Sequence, residues 1–76
     1  MQANKYEALG KALVIFNSCQ TMDQVKVAER YARQVRTLFV REHTKHARAE
    51  LSRVIGHLYD WQRAATFRAI KAELAA

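Results

Sequence analysis

The chain has 76 residues and carries 13 Lys and Arg against 7 Asp and Glu, a formal charge of +6, with no proline, two glycines and one cysteine. A chain of this length forms one domain, 1–76, and buries only about 60% of the surface its unfolded form exposes, which leaves little room for a deep catalytic pocket. A single cysteine excludes an intrachain disulfide and suits a reducing compartment. No leader-like stretch and no apolar run near the ~18 residues of a membrane span occurs, the longest being Ala12 to Phe16, so a cytoplasmic protein without membrane association is expected.

Half of the residues are hydrophobic, which together with the absence of proline predicts helix nearly end to end and argues against disorder. The first helix is expected from about Asn4 to Ser18, with Tyr6, Leu9, Leu13 and Phe16 on one stripe and Val14 and Ile15 widening it. Asn17, Ser18 and Gln20 then bring a short polar break. Thr21 is a good N-cap, and Asp23 puts a negative charge where the helix dipole favours it. Val25, Ala28, Tyr31, Ala32, Val35, Leu38 and Phe39 follow as one apolar face, which fails at Glu42 and places the helix end near Arg41. Arg41 to Lys45 reads as a polar connector with Thr44 as the next N-cap.

The third segment runs from about Lys45 to the end. Leu51, Val54, Ile55, Leu58, Trp61 and Ala65 share one face, and Phe67, Ile70 and Leu74 share another, rotated by roughly 140° at about 100° per residue. One straight helix cannot bring both groups into one core. The expectation is therefore an all-α, three-helix bundle with a long C-terminal helix, kinked or straight, or a four-helix bundle if the chain breaks at Tyr59-Asp60 with Asp60 as a new N-cap. On a straight helix, Phe67, Ile70 and Leu74 must pack on a partner or on a second copy in a homodimer.

Chemistry-bearing constellations are weak. Cys19, His43, His46 and His57 are metal-ligand types, and Glu42, His46 and Glu50 are spaced for one helix face. Structural zinc requires four ligands in tight pairs; Cys19 has no partner nearby and His43-x-x-His46 is a weak signal, so solvated histidines and no metal or cofactor are expected. Cys19 ends an apolar stripe and reads as a small core residue rather than a nucleophile. No Ser-His-Asp grouping or glycine-rich phosphate loop appears, and the carboxylates are scattered among cations. An enzyme is not expected.

Charge is the informative feature. Lys26, Arg30, Arg33 and Arg41 fall within roughly 80° of arc opposite the apolar face of the second helix, with Arg36 at the flank. Glu29, four residues before Arg33, is placed to pair with it. Lys45, Arg48, Arg53, Arg63, Arg68 and Lys71 add cations downstream, and arginine outnumbers lysine, as phosphate and carboxylate recognition favour. A helix-turn-helix does not fit. Gly56 would be its turn glycine after Leu51 and Ile55, but His57 and Gln62 fall where apolar residues belong. Tyr59 and Trp61 are able to stack on bases, though Trp61 continues the Leu51 stripe and reads as core.

Two runs resemble a known family. Cys19-Gln20-Thr21-Met22-Asp23, and His46-Ala47-Arg48-Ala49-Glu50-Leu51 followed by Leu58-Tyr59-Asp60, are similar in order and spacing to the second and third helices of the Hha/YmoA family of bacterial expression modulators. The resemblance implies a small, helical, non-enzymatic protein acting with the nucleoid protein H-NS through acidic side chains. By position Asp23 is retained, whereas Lys26 and Lys45 stand where that family has acids, and Trp61 comes earlier than the family's tryptophan.

These features lead to the expectation of a small accessory protein that modulates a nucleic-acid process. It binds DNA, RNA or a nucleoprotein through Lys26, Arg30, Arg33, Arg36, Arg41, Lys45 and Arg48. The alternative is a phage or mobile-element inhibitor or adaptor that docks on a host regulatory protein.

Overall fold

The computed structural model describes residues 4–41 and 48–75, and these form three helices: α1 (Lys5–Ser18), α2 (Met22–Arg41) and α3 (Arg48–Ala75). Every described residue outside position 4 and the link 19–21 is helical. The all-α, three-helix reading with a long last helix holds. α3 runs without a break through Tyr59 and Asp60, so the four-helix alternative is corrected: neither proline nor a competing cap interrupts its backbone ladder. At about 1.5 Å per residue its 28 residues span about 42 Å, most of the molecule's 47 Å long axis. The proposed connector and cap at Glu42, Thr44 and Lys45, with His43 and His46, lie outside the described residues.

Caps fix where the helices begin. The Asn4 side chain accepts from the Tyr6 backbone N–H at 2.8 Å to start α1. Thr21 and Gln24 form a reciprocal capping box. The Gln24 N–H donates to Thr21 Oγ1 at 3.2 Å, and Gln24 Oε1 accepts from the N–H groups of Gln20 at 2.7 Å and Thr21 at 3.2 Å. α1 ends without a glycine, so its last carbonyls need other donors. Arg68 Nη2 donates to the Phe16 carbonyl at 2.6 Å, and Ser18 Oγ and Cys19 Sγ both donate to the Ile15 carbonyl. A guanidinium at a helix C-terminus also meets the negative end of its dipole.

Contacts between the helices set the topology. The Tyr6 hydroxyl donates to Glu50 Oε1 at 2.8 Å, while Arg68 reaches Phe16, so α1 and α3 run parallel. Tyr6 meets Phe39 edge-on at 5.6 Å, and Gln62 Nε2 donates to Glu29 Oε1 at 2.8 Å, so α2 runs antiparallel to both. The result is an up-down-up bundle in which each helix touches the other two.

α2 buries the face its sequence predicts: Val25, Ala28, Ala32, Val35 and Phe39, flanked by half-buried Tyr31 and Leu38. α1 does not. Its buried residues are Ala8, Ala12 and Phe16, with Leu9 and Ile15 partly covered, whereas Tyr6 is exposed and Leu13 half-buried. Ala8 and Ala12 let the backbones approach, so Tyr6, Leu9, Leu13 and Ile15 are displaced to the flanks, and of the large side chains of α1 Phe16 is the one buried. α3 buries Val54 and Leu58, half-buries Leu51 and Trp61, then continues the same face with Ala65 and Ala69, both 0% exposed. Ile55, expected on this face, is exposed at its edge.

Candidate functional site

The α2 stripe is positioned by the core it opposes. Because Val25, Val35 and Phe39 are packed inward, helical periodicity turns Lys26, Arg30, Arg33, Thr37 and Arg41 outward within about 80° of arc, and all five are exposed. Lys26 to Arg41 covers 15 helical steps, about 22 Å at 1.5 Å per residue. Among the described residues no carboxylate comes within ion-pair distance of Lys26, Arg30, Arg33, Arg36 or Arg41. The expected Glu29–Arg33 pair is not formed, because Gln62 of α3 reaches across and engages the Glu29 carboxylate instead. The guanidinium of Arg33 is thus left to solvent. Thr37 Oγ donates to the Arg33 carbonyl at 3.0 Å, and Thr37, Gln34, Arg30 and Arg33 border one shallow depression.

Beside the stripe lies a groove of about 190 Å³ between α2 and α3. Arg33 and Arg36 form its α2 wall, Ile55 and Tyr59 its α3 wall, and the Glu29–Gln62 pair closes one end. Tyr59 is exposed, with the Arg63 guanidinium 5.9 Å from its ring centroid. Arg48 is exposed on the same side of α3 as Ile55 and Tyr59, within about 40° of arc, and the antiparallel register puts it at the pole where Arg41 ends α2. The predicted residues Lys26, Arg30, Arg33, Arg36, Arg41 and Arg48 therefore bound one continuous surface, and Lys45 lies outside the described residues. Tyr59 and Ile55 complete the groove through the α2–α3 register, which no single-helix pattern displays.

Other cations of α3 serve different ends. Arg68 caps α1, Arg63 lies over Tyr59, and Arg53 Nε donates to the Ala49 carbonyl at 3.4 Å. Lys5 sits 5.1 Å from the Phe39 centroid and 3.9 Å from Glu50, on the far side of the bundle from the stripe.

Cys19 is buried as expected, and desolvation pushes its thiol above the ordinary value, only partly opposed by the nearby Arg68 charge. Such a thiol is a poor nucleophile. His57 is exposed and stacks on Trp61, with centroids 5.8 Å apart. Among the described residues no three His, Cys, Asp or Glu side chains cluster for a metal. Among them, no helix is long and apolar enough to cross a membrane.

No protein-family model matches the chain, and no curated protein or solved structure matches it either.

Proposed function

We propose that this chain is a non-enzymatic accessory protein that modulates a nucleic-acid process by binding DNA, RNA or a nucleoprotein through the cationic face of α2. The observation that carries this reading is the state of the stripe. Five exposed cations along one helix have no carboxylate partner among the described residues, so their charge is available to a ligand. Phosphates on one DNA strand recur about every 3.4 Å of axis, so a 22 Å stripe faces roughly six of them. Arginine presents a planar fork that binds phosphate oxygens in pairs. Contacts of this kind fix position without reading sequence. The Hha/YmoA resemblance implies a nucleoprotein target, but Lys26, where that family has an acid, belongs to the stripe and favours nucleic acid itself.

One phosphate contact each from Lys26, Arg30, Arg33 and Arg41, with Arg36 at the flank left out, gives an affinity that falls with salt at a logarithmic slope of about −3.6 on duplex DNA. Replacing Arg30, Arg33 and Arg41 together with Gln should leave the helical signal and the melting transition nearly unchanged, since surface substitutions move stability by less than about 0.5 kcal/mol. Affinity for all sequences should drop, and the slope should lose about 2.7 units. Fluorescence anisotropy across a salt series measures both. If the parent chain binds no DNA or RNA even at low salt, the stripe docks instead on an acidic protein face, as an inhibitor or adaptor of a host regulatory protein would use it.

A further inference from the structure

The outer face of α3 carries a second apolar stripe that the bundle does not use. Phe67 is 73% exposed, Ile70 46% and Leu74 82%. With Arg63 they fall within about 60° of arc at 100° per residue, nearly opposite Val54, Leu58, Ala65 and Ala69. Their spacing of four, three and four residues is that of a coiled-coil seam. We infer that this stripe is the seam of an antiparallel homodimer, in which α3 of one copy lies along α3 of a second.

Three observations converge on it. The first is area: one phenylalanine and two aliphatic side chains at these exposures present roughly 350–400 Å² of apolar surface, within the range of about 300–600 Å² of the largest patch on a monomer, which is often a contact site. Doubled across a two-fold axis and rimmed by Thr66, Lys71 and Glu73, the contact approaches the ~1,000 Å² of a specific, weak interface. The second is the overhang. α2 begins at Met22, which the α2–α3 register sets beside Ala69, so α3 continues past the bundle. There Ala72 and Ala75 are exposed around an open notch with Asn17, Cys19 and Gln20. A helical end covered on its inner side only by this open notch is marginal alone, and a second α3 would support it.

The third observation is charge, and it selects both occupant and direction. A parallel pairing would set Arg63 against its own copy. An antiparallel pairing with Phe67 of one copy facing Ile70 of the other places Leu74 over the aliphatic stem of Arg63 and brings Glu73 beside the same guanidinium. The two-fold axis repeats that pair. Among the described residues Glu73 has no ion-pair partner within its own chain.

Sedimentation equilibrium of the full chain, over a concentration series reaching millimolar, tests the seam. The parent should show reversible dimers, and Phe67→Glu with Leu74→Glu should give monomers that melt like the parent. Arg63→Glu alone and Glu73→Arg alone should each weaken the dimer by about tenfold. Combining the two restores the pair across the axis and should recover most of that loss. A parent that stays monomeric at millimolar concentration overturns the proposal and leaves the stripe to a different protein. Dimers indifferent to Phe67→Glu and Leu74→Glu overturn it too, and failure of the charge swap to recover the loss overturns the antiparallel register.

Discussion

α2 and α3 have comparable numbers of large apolar side chains but dispose of them differently. In α2 most of them point one way: Val25, Val35 and Phe39 are buried, Val27 and Val40 are exposed, and the face opposite the core is carried chiefly by Lys26, Arg30, Arg33 and Arg41. In α3 the faces change roles part-way. Its first half packs Val54 and Leu58 inward, and its second half turns alanine inward and phenylalanine, isoleucine and leucine outward. The two designs show what a 76-residue bundle does with its surface. A helix with one apolar face has the other free to carry charge, and a helix with two has an affinity to satisfy elsewhere.

The sharpest way to break this comparison is to make one substitution in both helices. Phe39 is 3% exposed and meets the Tyr6 ring, so Phe39→Ala should cost about 3–5 kcal/mol. Phe67→Ala should change the stability of the monomer by no more than about 0.5 kcal/mol. Urea unfolding at low protein concentration compares them directly, and similar losses would mean that the outer stripe is packed within the chain. An intermediate effect probes where α3 leaves the bundle. Ala69→Leu forces extra volume into a closed contact and should destabilise by about 1–3 kcal/mol. Ala72→Leu, three residues further along the same face, should be nearly neutral because Ala72 is exposed. Thermal melts of the two proteins locate the edge of the core. The smallest effect concerns Gly10 and Gly56, which lie inside α1 and α3 without positive φ and with nothing within 4 Å of an added Cβ. Gly10→Ala and Gly56→Ala should each raise stability by about 0.5–1 kcal/mol, read as a shift in urea midpoint at constant slope. A loss at Gly56 alone would mean that the outer face of α3 is crowded further toward its N-terminus than the seam extends.

How much of this was legible beforehand varies with the size of the residues making each contact. The α2 face could be read outright, because its buried residues are apolar, periodic and opposed by charge, and the basic stripe followed as its complement. The N-terminal boundary of α2 was legible in Thr21, although its reciprocal partner Gln24 was not singled out. α1 was legible only in part: Phe16 is buried as its stripe predicts, but apolar patterning also gives weight to Tyr6 and Leu13, while the other buried residues are Ala8 and Ala12. The same bias hid Ala69, which carries the α3 face past the point where large residues leave it and removes any need for a kink. The groove was illegible for another reason. Arg33 and Arg36 meet Tyr59 and Ile55 only through the antiparallel register of two helices, and the Gln62–Glu29 bond that releases Arg33 depends on that register as well.

The three-residue link 19–21 has a consequence for how the chain acquires this structure. α1 and α2 are joined so closely that their antiparallel contact closes a short loop at small entropic cost. α1 and α3 are parallel, so their contact, including Arg68 on the Phe16 carbonyl 52 positions away, has to close a loop that spans the whole of α2. Folding should therefore proceed from the α1–α2 hairpin, with α3 docking afterwards. Substitutions at Val25 or Ala28 should slow folding, whereas those at Ala65 or Ala69 should chiefly speed unfolding.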